Sequence, residues 1–186
     1  MSVTITSVKT DLQLHQILEL QKINLPRSLS VAEIKKEGFV TVDHSFDILQ
    51  QMNTPYPHII AIDNDAVIGY ALVMLSSIKD EIEILKPMFE KINTLSYNNA
   101  PLSSCKYFVI GQVCVAKAYR GQGVFYKMYD QMKSIMRQDF NLIITEVSAH
   151  NTRSLKAHAR QGFINILSFK APDGHPWEIL LWDLTN

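Results

Sequence analysis

The chain has 186 residues, of which 47% are hydrophobic and 19% charged, a composition that is typical of a globular protein and excludes a disordered one. Its length is most simply that of one domain, spanning residues 1–186, with enough chain to bury a substantial core. The 18 Lys and Arg residues balance the 18 Asp and Glu residues, so the composition offers no bulk field for a nucleic acid or an anionic membrane.

The first predicted elements are one strand and two helices. Residues 2–8 alternate apolar and polar side chains, as a half-buried strand does, and residues 11–24 place their apolar side chains near helical spacing. Ser30 is followed three positions later by Glu33, and this capping-box pattern predicts a short second helix. Gly38 is the predicted end of that helix.

A hairpin and an insertion are predicted next. Residues 58–63 and 66–75 are β-rich runs, and the Asn-Asp pair at 64–65 predicts a tight antiparallel turn because both residues tolerate positive φ. Residues 79–98 are charged and irregularly helical, with an interruption at Pro87. They are therefore predicted to be a helical insertion before the next strand.

The rest of the chain predicts a β-α-β unit, another helix and two strands. Residues 106–115 and 141–147 are apolar runs typical of strands, residues 150–163 are helical, and "FINILSF" and "WEILLWDL" close the chain as strands. The helix of the β-α-β unit carries an apolar stripe formed by Val124, Met128, Met132 and Ile135. This order predicts an α/β fold with a mixed, mostly antiparallel sheet flanked by helices, in which 106–147 form a right-handed parallel crossover.

Cysteine usage and the N-terminus bear on redox state, metals and location. Cys105 and Cys114 lie nine residues apart in one predicted strand, too far apart to bridge, and neither has a His or Cys partner at metal-ligand spacing. Buried thiols are favoured over a redox or nucleophilic role, and no metal site is predicted. The N-terminus does not have the pattern of a signal peptide, and no apolar run approaches the roughly 20 residues of a membrane helix, so a cytoplasmic location is expected.

The stretch "VAKAYRGQGVFYKMY", residues 115–129, places Gly121 and Gly123 where a predicted strand gives way to a helix. A helix N-terminus exposes unpaired N–H groups, and glycines let a phosphate approach the backbone, while Arg120 adds a positive charge. An ordinary connecting turn with a solvated Arg is the alternative that this stretch alone leaves open. A dinucleotide-binding turn fits poorly, because Tyr126 stands where a third glycine is needed and a polar spacer follows the strand.

The same stretch resembles the acyl-CoA signature of the GNAT superfamily of N-acetyltransferases, Q/R-x-x-G-x-G/A between a central strand and a helix. Arg120-Gly-Gln-Gly123 matches the first four positions, and Phe125 departs from the usual Gly or Ala. Residues 151–163, N-x-x-S-L-x-x-H-x-x-x-G-F, resemble the family's later N-x-x-A-x-x-x-Y-x-x-x-G-F segment. With the strand order, the resemblance covers nearly the whole chain and implies a GNAT-like fold.

The resemblance implies an N-acetyltransferase that transfers an acetyl group from acetyl-CoA, its co-substrate, to a primary amine without a metal. In this family the amine attacks the thioester directly in a ternary complex. Backbone groups of 113–115 would bind the pantetheine arm and N–H groups of 122–125 the pyrophosphate, while an Asn side chain would reach the cofactor. The implied cofactor-binding residues are Val113, Cys114, Val115, Arg120, Gly121, Gln122, Gly123, Val124, Phe125 and Asn151.

The resemblance also implies one candidate catalytic residue, and the sequence offers a second. His158 stands where the family has a Tyr that protonates the departing thiolate, and an imidazole, with an ordinary pKa near 6.5, can donate a proton as well. The alternative for His158 is an exposed or partly packed helix residue. Glu146 is a candidate general base. The alternative for Glu146 is a charged strand residue that faces solvent, in which case water would serve as the base.

The amine acceptor is expected to be a small molecule or a peptide, bound by the first two helices and the insertion. Plausible lining residues that would attract a cationic amine are Asp43, Asp47, Tyr56 and Tyr97. No nucleic-acid or membrane partner is expected, and a homodimer is compatible with the sequence. The alternative function is a non-catalytic acyl-CoA-binding or sensing module, because the usual Tyr is replaced and no base stands out.

Overall fold

The computed structural model describes residues 3–76 and 86–185. The strands are β1 (Thr4–Ser7), β2 (Ile59–Asp63), β3 (Ala66–Met74), β4 (Ser96–Tyr97), β5 (Ala100–Pro101), β6 (Tyr107–Val115), β7 (Leu142–Ser148), β8 (Ile164–Lys170) and β9 (Pro176–Asp183). The helices are α1 (Asp11–Lys22), α2 (Val31–Glu37), α3 (Phe46–Met52), α4 (Lys86–Ile92), α5 (Val124–Met136) and α6 (Thr152–Gln161).

Seven strands form one sheet in the order β1-β2-β3-β6-β7-β9-β8. The pairs β1–β2, β2–β3, β7–β9 and β8–β9 are antiparallel, whereas β6–β7 is parallel. The predicted α/β class with a mixed, mostly antiparallel sheet is therefore confirmed, and so is the parallel pairing across the β6-α5-β7 crossover. By its internal contacts the chain divides into two compact units, which are described in turn.

The first unit comprises Met1–Val73 and Gly111–Ile135. Its helices α1 and α2 begin at capping boxes, in which Thr10 pairs with Gln13 and Ser30 pairs with Glu33. These reciprocal bonds satisfy amides that a helix N-terminus otherwise leaves unpaired, and this explains why such short segments are helical. The predicted capping box at Ser30 is confirmed.

Three other features of the first unit test the sequence-based expectations. The hairpin turn is confirmed, because Asn64 and Asp65 have φ of 48° and 65°. The seven-residue helix α3 was not predicted. On α5, the first three members of the predicted stripe are buried but Ile135 is 37% exposed, and the neighbouring Met136 is the buried residue at the end of the helix instead.

The second unit comprises Met74–Ile110 and Met136–Asn186. Its strands β7 and β9 pair over seven residues, from Leu142↔Asp183 to Ser148↔Trp177. The parallel pairing of β6 with β7 covers four positions and ends at Ile110↔Thr145. Helix α6 is capped by Asn151 and ends at Gly162, whose φ is 108°.

Two expectations about the second unit need correction. Pro87 does not break the helix described from Lys86 to Ile92 but occupies its second position, where its missing N–H costs nothing. The helical prediction for 79–98 also fails after Ile92, because 96–101 contain the β4–β5 hairpin, and 79–85 lie outside the described residues. Cys105 precedes β6 and lies outside the strand that was predicted to hold both cysteines, and neither cysteine is in a disulfide.

Among the described residues, no helix is long and apolar enough to cross a membrane.

Candidate functional site

The glycine turn lies between β6 and α5 in the first unit. Gly121 and Gly123 have φ of 76° and 79°, in the left-handed region that glycine adopts without strain. A Cβ atom built on either residue would have no atom within 4 Å, so both glycines border open space. The first hydrogen bond of α5 runs from the Lys127 N–H to the Gly123 carbonyl at 3.1 Å, which leaves the preceding amides outside the helical ladder. This geometry can receive an anion.

The turn is braced by its own side chains. The Gln122 side-chain amide donates to the Ala118 carbonyl at 2.8 Å, and the Tyr119 hydroxyl donates to Asp63 Oδ2 at 2.7 Å. Asp63 ends β2 and is buried, so Tyr119 fastens the turn to the sheet. Tyr119 therefore has a structural role in this position.

The guanidinium of Arg120 makes three hydrogen bonds to residues of the same unit. Its Nε donates to the Val115 carbonyl at 2.8 Å, its Nη2 donates to Asn24 Oδ1 at 2.6 Å, and its Nη1 pairs with Glu37 Oε2 at 3.2 Å. The side chains of Arg120 and Glu37 are only 15% and 16% exposed. The predicted alternative of a solvated Arg is therefore wrong.

The end of β6 offers backbone groups beside the turn. Val113 and Val115 are half-buried, while Cys114 points into the core, where burial raises the pKa of its thiol to about 11. A thiol with such a pKa stays protonated, which agrees with the predicted buried thiol and disfavours a nucleophilic role. The strand ends where the Ala116 N–H donates to the Ile68 carbonyl at 2.8 Å.

A buried polar network lies against β6 one residue before Val113. The Gln112 side chain accepts a hydrogen bond from the Tyr70 hydroxyl at 2.6 Å and donates to the Val42 carbonyl at 2.9 Å. His44 lies two residues after Val42 in the chain. Its Nδ1 bonds to Gln21 Oε1 at 2.8 Å, while its Nε2 has no hydrogen-bond partner among the described residues. Burial lowers the pKa of His44 to about 4, so the ring is neutral.

In the second unit, Glu146 lies on β7 opposite Ile179 of β9. The side chain is half-buried, and burial raises the pKa of its carboxyl to about 7. A carboxyl with a pKa near neutrality can accept a proton at physiological pH, which is the property that a general base requires.

The two predicted residues of α6 are both engaged by the helix itself. Asn151 caps the helix, because its Oδ1 accepts from the Ser154 N–H at 3.2 Å. His158 is 1% exposed, and its Nδ1 lies 2.8 Å from the Ser154 carbonyl, so Nδ1 carries the proton. Its ring meets that of Phe163 edge-on at 5.0 Å. Burial lowers the pKa of His158 to about 4, which makes the neutral imidazole the dominant form at pH 7.

The candidate residues thus fall into two sets. The first unit brings together the end of β6 and the turn through the bond between Arg120 and Val115, and the second unit brings together Asn151 and His158 on one helix. Of the predicted acceptor residues, Asp43 pairs with Arg27 at 2.5 Å. The described residues contain no cluster of three or more His, Cys, Asp or Glu side chains that could hold a metal ion.

Sequence reasoning missed the partners that hold the turn. Glu37 ends α2 and Asn24 follows α1, and they meet Arg120 across 83 and 96 residues of chain. Only the complementary charges of Glu37 and Arg120 could have suggested the pair, and charge alone does not choose among the many acids. The Ser154 carbonyl as the partner of His158 was predictable, because it lies four residues earlier on the same helix.

Comparisons with known proteins agree with this architecture. The family model described as "Acetyltransferase (GNAT) family" matches residues 28–163. No curated protein sequence matches the chain. NAA60 of Arabidopsis thaliana in complex with acetyl-CoA has a TM-score of 0.67 at 12% identity, covering 98% of this chain and 99% of that one.

Two further solved structures share the fold. The NatC complex bound to Gag peptide and CoA contains a chain with a TM-score of 0.66 at 16% identity, covering 98% of this chain and 99% of its own. The ribosomal-protein-S18-alanine N-acetyltransferase from Escherichia coli has a TM-score of 0.63 at 12% identity, covering 98% and 94%. At these identities the likeness shows the fold, and the family model supplies the membership. The chain belongs to the GNAT family, and the general activity that this membership carries is acetyl transfer.

Proposed function

We propose that the protein transfers an acetyl group from acetyl-CoA to a primary amine by direct attack within a ternary complex. The observation that carries the proposal is the glycine turn, in which two residues at positive φ border open space ahead of α5. The pyrophosphate of an acyl-CoA needs an anion-binding site, and a helix N-terminus preceded by two glycines without Cβ atoms can supply one. Binding of acetyl-CoA by some relatives of the same fold supports the assignment.

The residues named for the cofactor divide by the part that each would bind. The N–H groups of Gln122 to Phe125 would surround the pyrophosphate, and backbone groups of Val113, Cys114 and Val115 would bind the pantetheine arm. The pairing of β6 with β7 ends at Ile110, so the later residues of β6 are not committed to that ladder. Asn151 uses its Oδ1 as a helix cap, so any contact of its side chain with the cofactor would use Nδ2.

The chemical step requires removal of a proton, stabilisation of an oxyanion and a proton for the thiolate. The amine nitrogen would attack the acetyl carbon to give a tetrahedral oxyanion, and the collapse of this intermediate would break the carbon–sulfur bond and release the CoA thiolate. Glu146 would take the proton from the amine, because its raised pKa keeps it basic near neutral pH. A backbone N–H near Val115 would stabilise the oxyanion, and His158, which resembles the family's Tyr in its place in the sequence, would donate the proton.

The role of His158 has a specific constraint. Its neutral ring donates Nδ1–H to the Ser154 carbonyl, so it would protonate the thiolate from Nε2 only after gaining a proton. Water could protonate the thiolate instead. A His158→Ala variant separates these routes. If His158 is the essential donor, its loss lowers kcat, whereas if His158 only packs, its loss lowers stability alone.

The acceptor is proposed to be a primary amine of a peptide or a small molecule. Peptide termini belong in the first panel, because one neighbour is a ribosomal-protein-S18-alanine N-acetyltransferase and another is bound to a Gag peptide. A cytoplasmic location and a homodimer remain predictions that cell fractionation and sedimentation would test.

Two measurements test the proposal. Acetyl-CoA and CoA should each raise the melting temperature, and an amine panel should include an acceptor that causes release of free CoA thiol from acetyl-CoA. Stabilisation by acyl-CoA without thiol release would favour the alternative of a non-catalytic acyl-CoA-binding or sensing module. If no acyl-CoA raised the melting temperature, both functions would be excluded.

A further inference from the structure

The side chain of Arg120 connects two separate parts of the proposed cofactor site. Arg120 itself begins the glycine turn, and its Nε reaches back across a five-residue step to the Val115 carbonyl, which ends β6. A 3₁₀ turn at Lys117–Tyr119 lies between them. One side chain therefore fixes the distance from the end of the strand to the start of the turn.

The peptide unit between Val115 and Ala116 is held from both sides. Its carbonyl accepts from Arg120 at 2.8 Å, and its N–H donates to the Ile68 carbonyl at 2.8 Å. Because a peptide unit is planar, two such bonds fix its orientation and that of the strand end before it. This is the segment proposed to bind the pantetheine arm.

The charge of Arg120 is balanced inside the protein. Nη1 pairs with Glu37 at 3.2 Å and Nη2 donates to Asn24 at 2.6 Å, in a site where both charged side chains are about five-sixths buried. Turning the guanidinium towards a ligand would break all three contacts of its planar fork at once. It would also break a largely buried ion pair with Glu37, which is costly at this degree of burial.

We infer that Arg120 is a positioning residue of the cofactor site, held by Glu37 and Asn24 to join the strand end to the glycine turn, and that it is not a ligand of the pyrophosphate. This inference rests on the proposed function, since it assumes that the turn binds acyl-CoA. It assigns Glu37 to the same task, although Glu37 lies on α2 and carries the charge that would repel a phosphate.

The two roles predict opposite signs for one substitution. If Arg120 positions the site, Glu37→Ala removes the ion pair that holds the guanidinium in place, and CoA binding weakens. If Arg120 binds the pyrophosphate directly, Glu37→Ala removes a competing anion, and CoA binding stays the same or tightens. The sign of the change therefore decides between them.

Calorimetric titration of each variant with CoA tests the inference. Arg120→Ala and Glu37→Ala should each weaken CoA binding by about tenfold, and the double variant should be within about twofold of the weaker single variant, because both remove one shared connection. Arg120→Lys should weaken binding nearly as much as Arg120→Ala, since an ammonium group cannot make the three-way contact. Melting temperatures measured beside each titration identify any variant that does not fold.

Glu33→Gln is the matched control on the same helix, because glutamine can keep the capping box with Ser30 while it removes the charge that pairs with Lys117. Glu33 pairs with Lys117 at 2.9 Å, but the two side chains are 39% and 69% exposed, so this pair should contribute little. CoA affinity within about twofold of the wild-type value is expected for this variant.

The outcomes of the inference and of the proposed function are distinguishable. Wild-type protein that does not bind CoA would overturn the proposed function. Wild-type binding together with unchanged or tighter binding by Glu37→Ala, or full retention of affinity by Arg120→Lys, would overturn the inference alone. If Arg120→Ala does not fold, Glu37→Ala still decides the sign.

Discussion

Gly123→Ala is the perturbation that isolates the proposed pyrophosphate cradle. Gly123 has φ of 79°, and a Cβ placed on it meets nothing within 4 Å, so the methyl group fits the protein but enters the space ahead of α5. Gly174, in the turn between β8 and β9, has φ of 84° and is equally open. Gly174→Ala therefore introduces the same kind of backbone strain away from the cradle and serves as the control.

The expected losses of stability are alike in the two variants, because both glycines have a positive φ and open space around the Cβ position. An alanine in the left-handed region costs about 1–2 kcal/mol, and in a chain of this size each kcal/mol lowers the melting temperature by roughly 2–4 °C. Both variants should therefore melt about 2–8 °C below the wild-type protein. In Gly123→Ala the methyl group also displaces the pyrophosphate from backbone amides, and losing one charge-assisted hydrogen bond, worth about 1.5–3 kcal/mol, weakens binding by roughly 10- to 150-fold.

Calorimetric titration with CoA, accompanied by thermal melting, measures both quantities. The expected result is a similar loss of stability in the two variants and a loss of CoA affinity in Gly123→Ala alone. Gly123→Trp should abolish binding while the fold is retained. Equal CoA affinity in Gly123→Ala and Gly174→Ala would refute the cradle and return the turn to an ordinary connection.

The remaining predictions concern catalysis and acid stability. Glu146→Gln should lower kcat by about 100-fold or more. With an acceptor whose amine has a low pKa, kcat/KM of the wild-type protein should rise as the pH passes about 7, and the variant should lose this rise. An unchanged pH profile would exclude Glu146 as the base. His158→Ala should lower kcat with little change in acetyl-CoA affinity, and wild-type turnover would remove His158 from the mechanism. Folding stability should fall as the pH drops from about 6.5 towards 4, because burial lowers the pKa of His44, His58 and His158 to about 4, 3 and 4, so that the unfolded chain binds protons first. Glu146 opposes this trend, since its raised pKa makes its ionisation between pH 4.5 and about 7 unfavourable in the folded state, and three histidines should prevail over one carboxyl. Melting temperatures at pH 7 and pH 5 check the sign, and a higher value at pH 5 would contradict it.

Features set by neighbouring residues were predictable from the sequence. The capping box of Ser30 and Glu33, the Asn-Asp hairpin turn and the terminal Gly162 all depend on residues within a few positions of one another. Helix α3 carried a similar signal that was missed. Ser45 caps it, and Leu49 and Met52 are buried three residues apart.

Features set by tertiary packing were not predictable in the same way. The polar neighbours of His158 on α6 suggested an exposed face, yet the ring packs edge-on against Phe163 and is buried. Burial then changes its chemistry, because it lowers the pKa of the ring to about 4 and so makes the protonated form much rarer at pH 7 than for an exposed histidine. The same physical cause acts on Glu146 in the opposite sense and makes it more basic. Neither shift can be derived from residue spacing.

Release of CoA thiol from acetyl-CoA tests the central claim most directly, with wild-type protein and Glu146→Gln assayed against one panel of primary amines that includes peptide termini. Acetyl transfer predicts that at least one amine causes the wild-type protein to release thiol and that Glu146→Gln does so at least about 100-fold more slowly. Wild-type protein that binds acetyl-CoA but releases no thiol with any amine of the panel would contradict the claim.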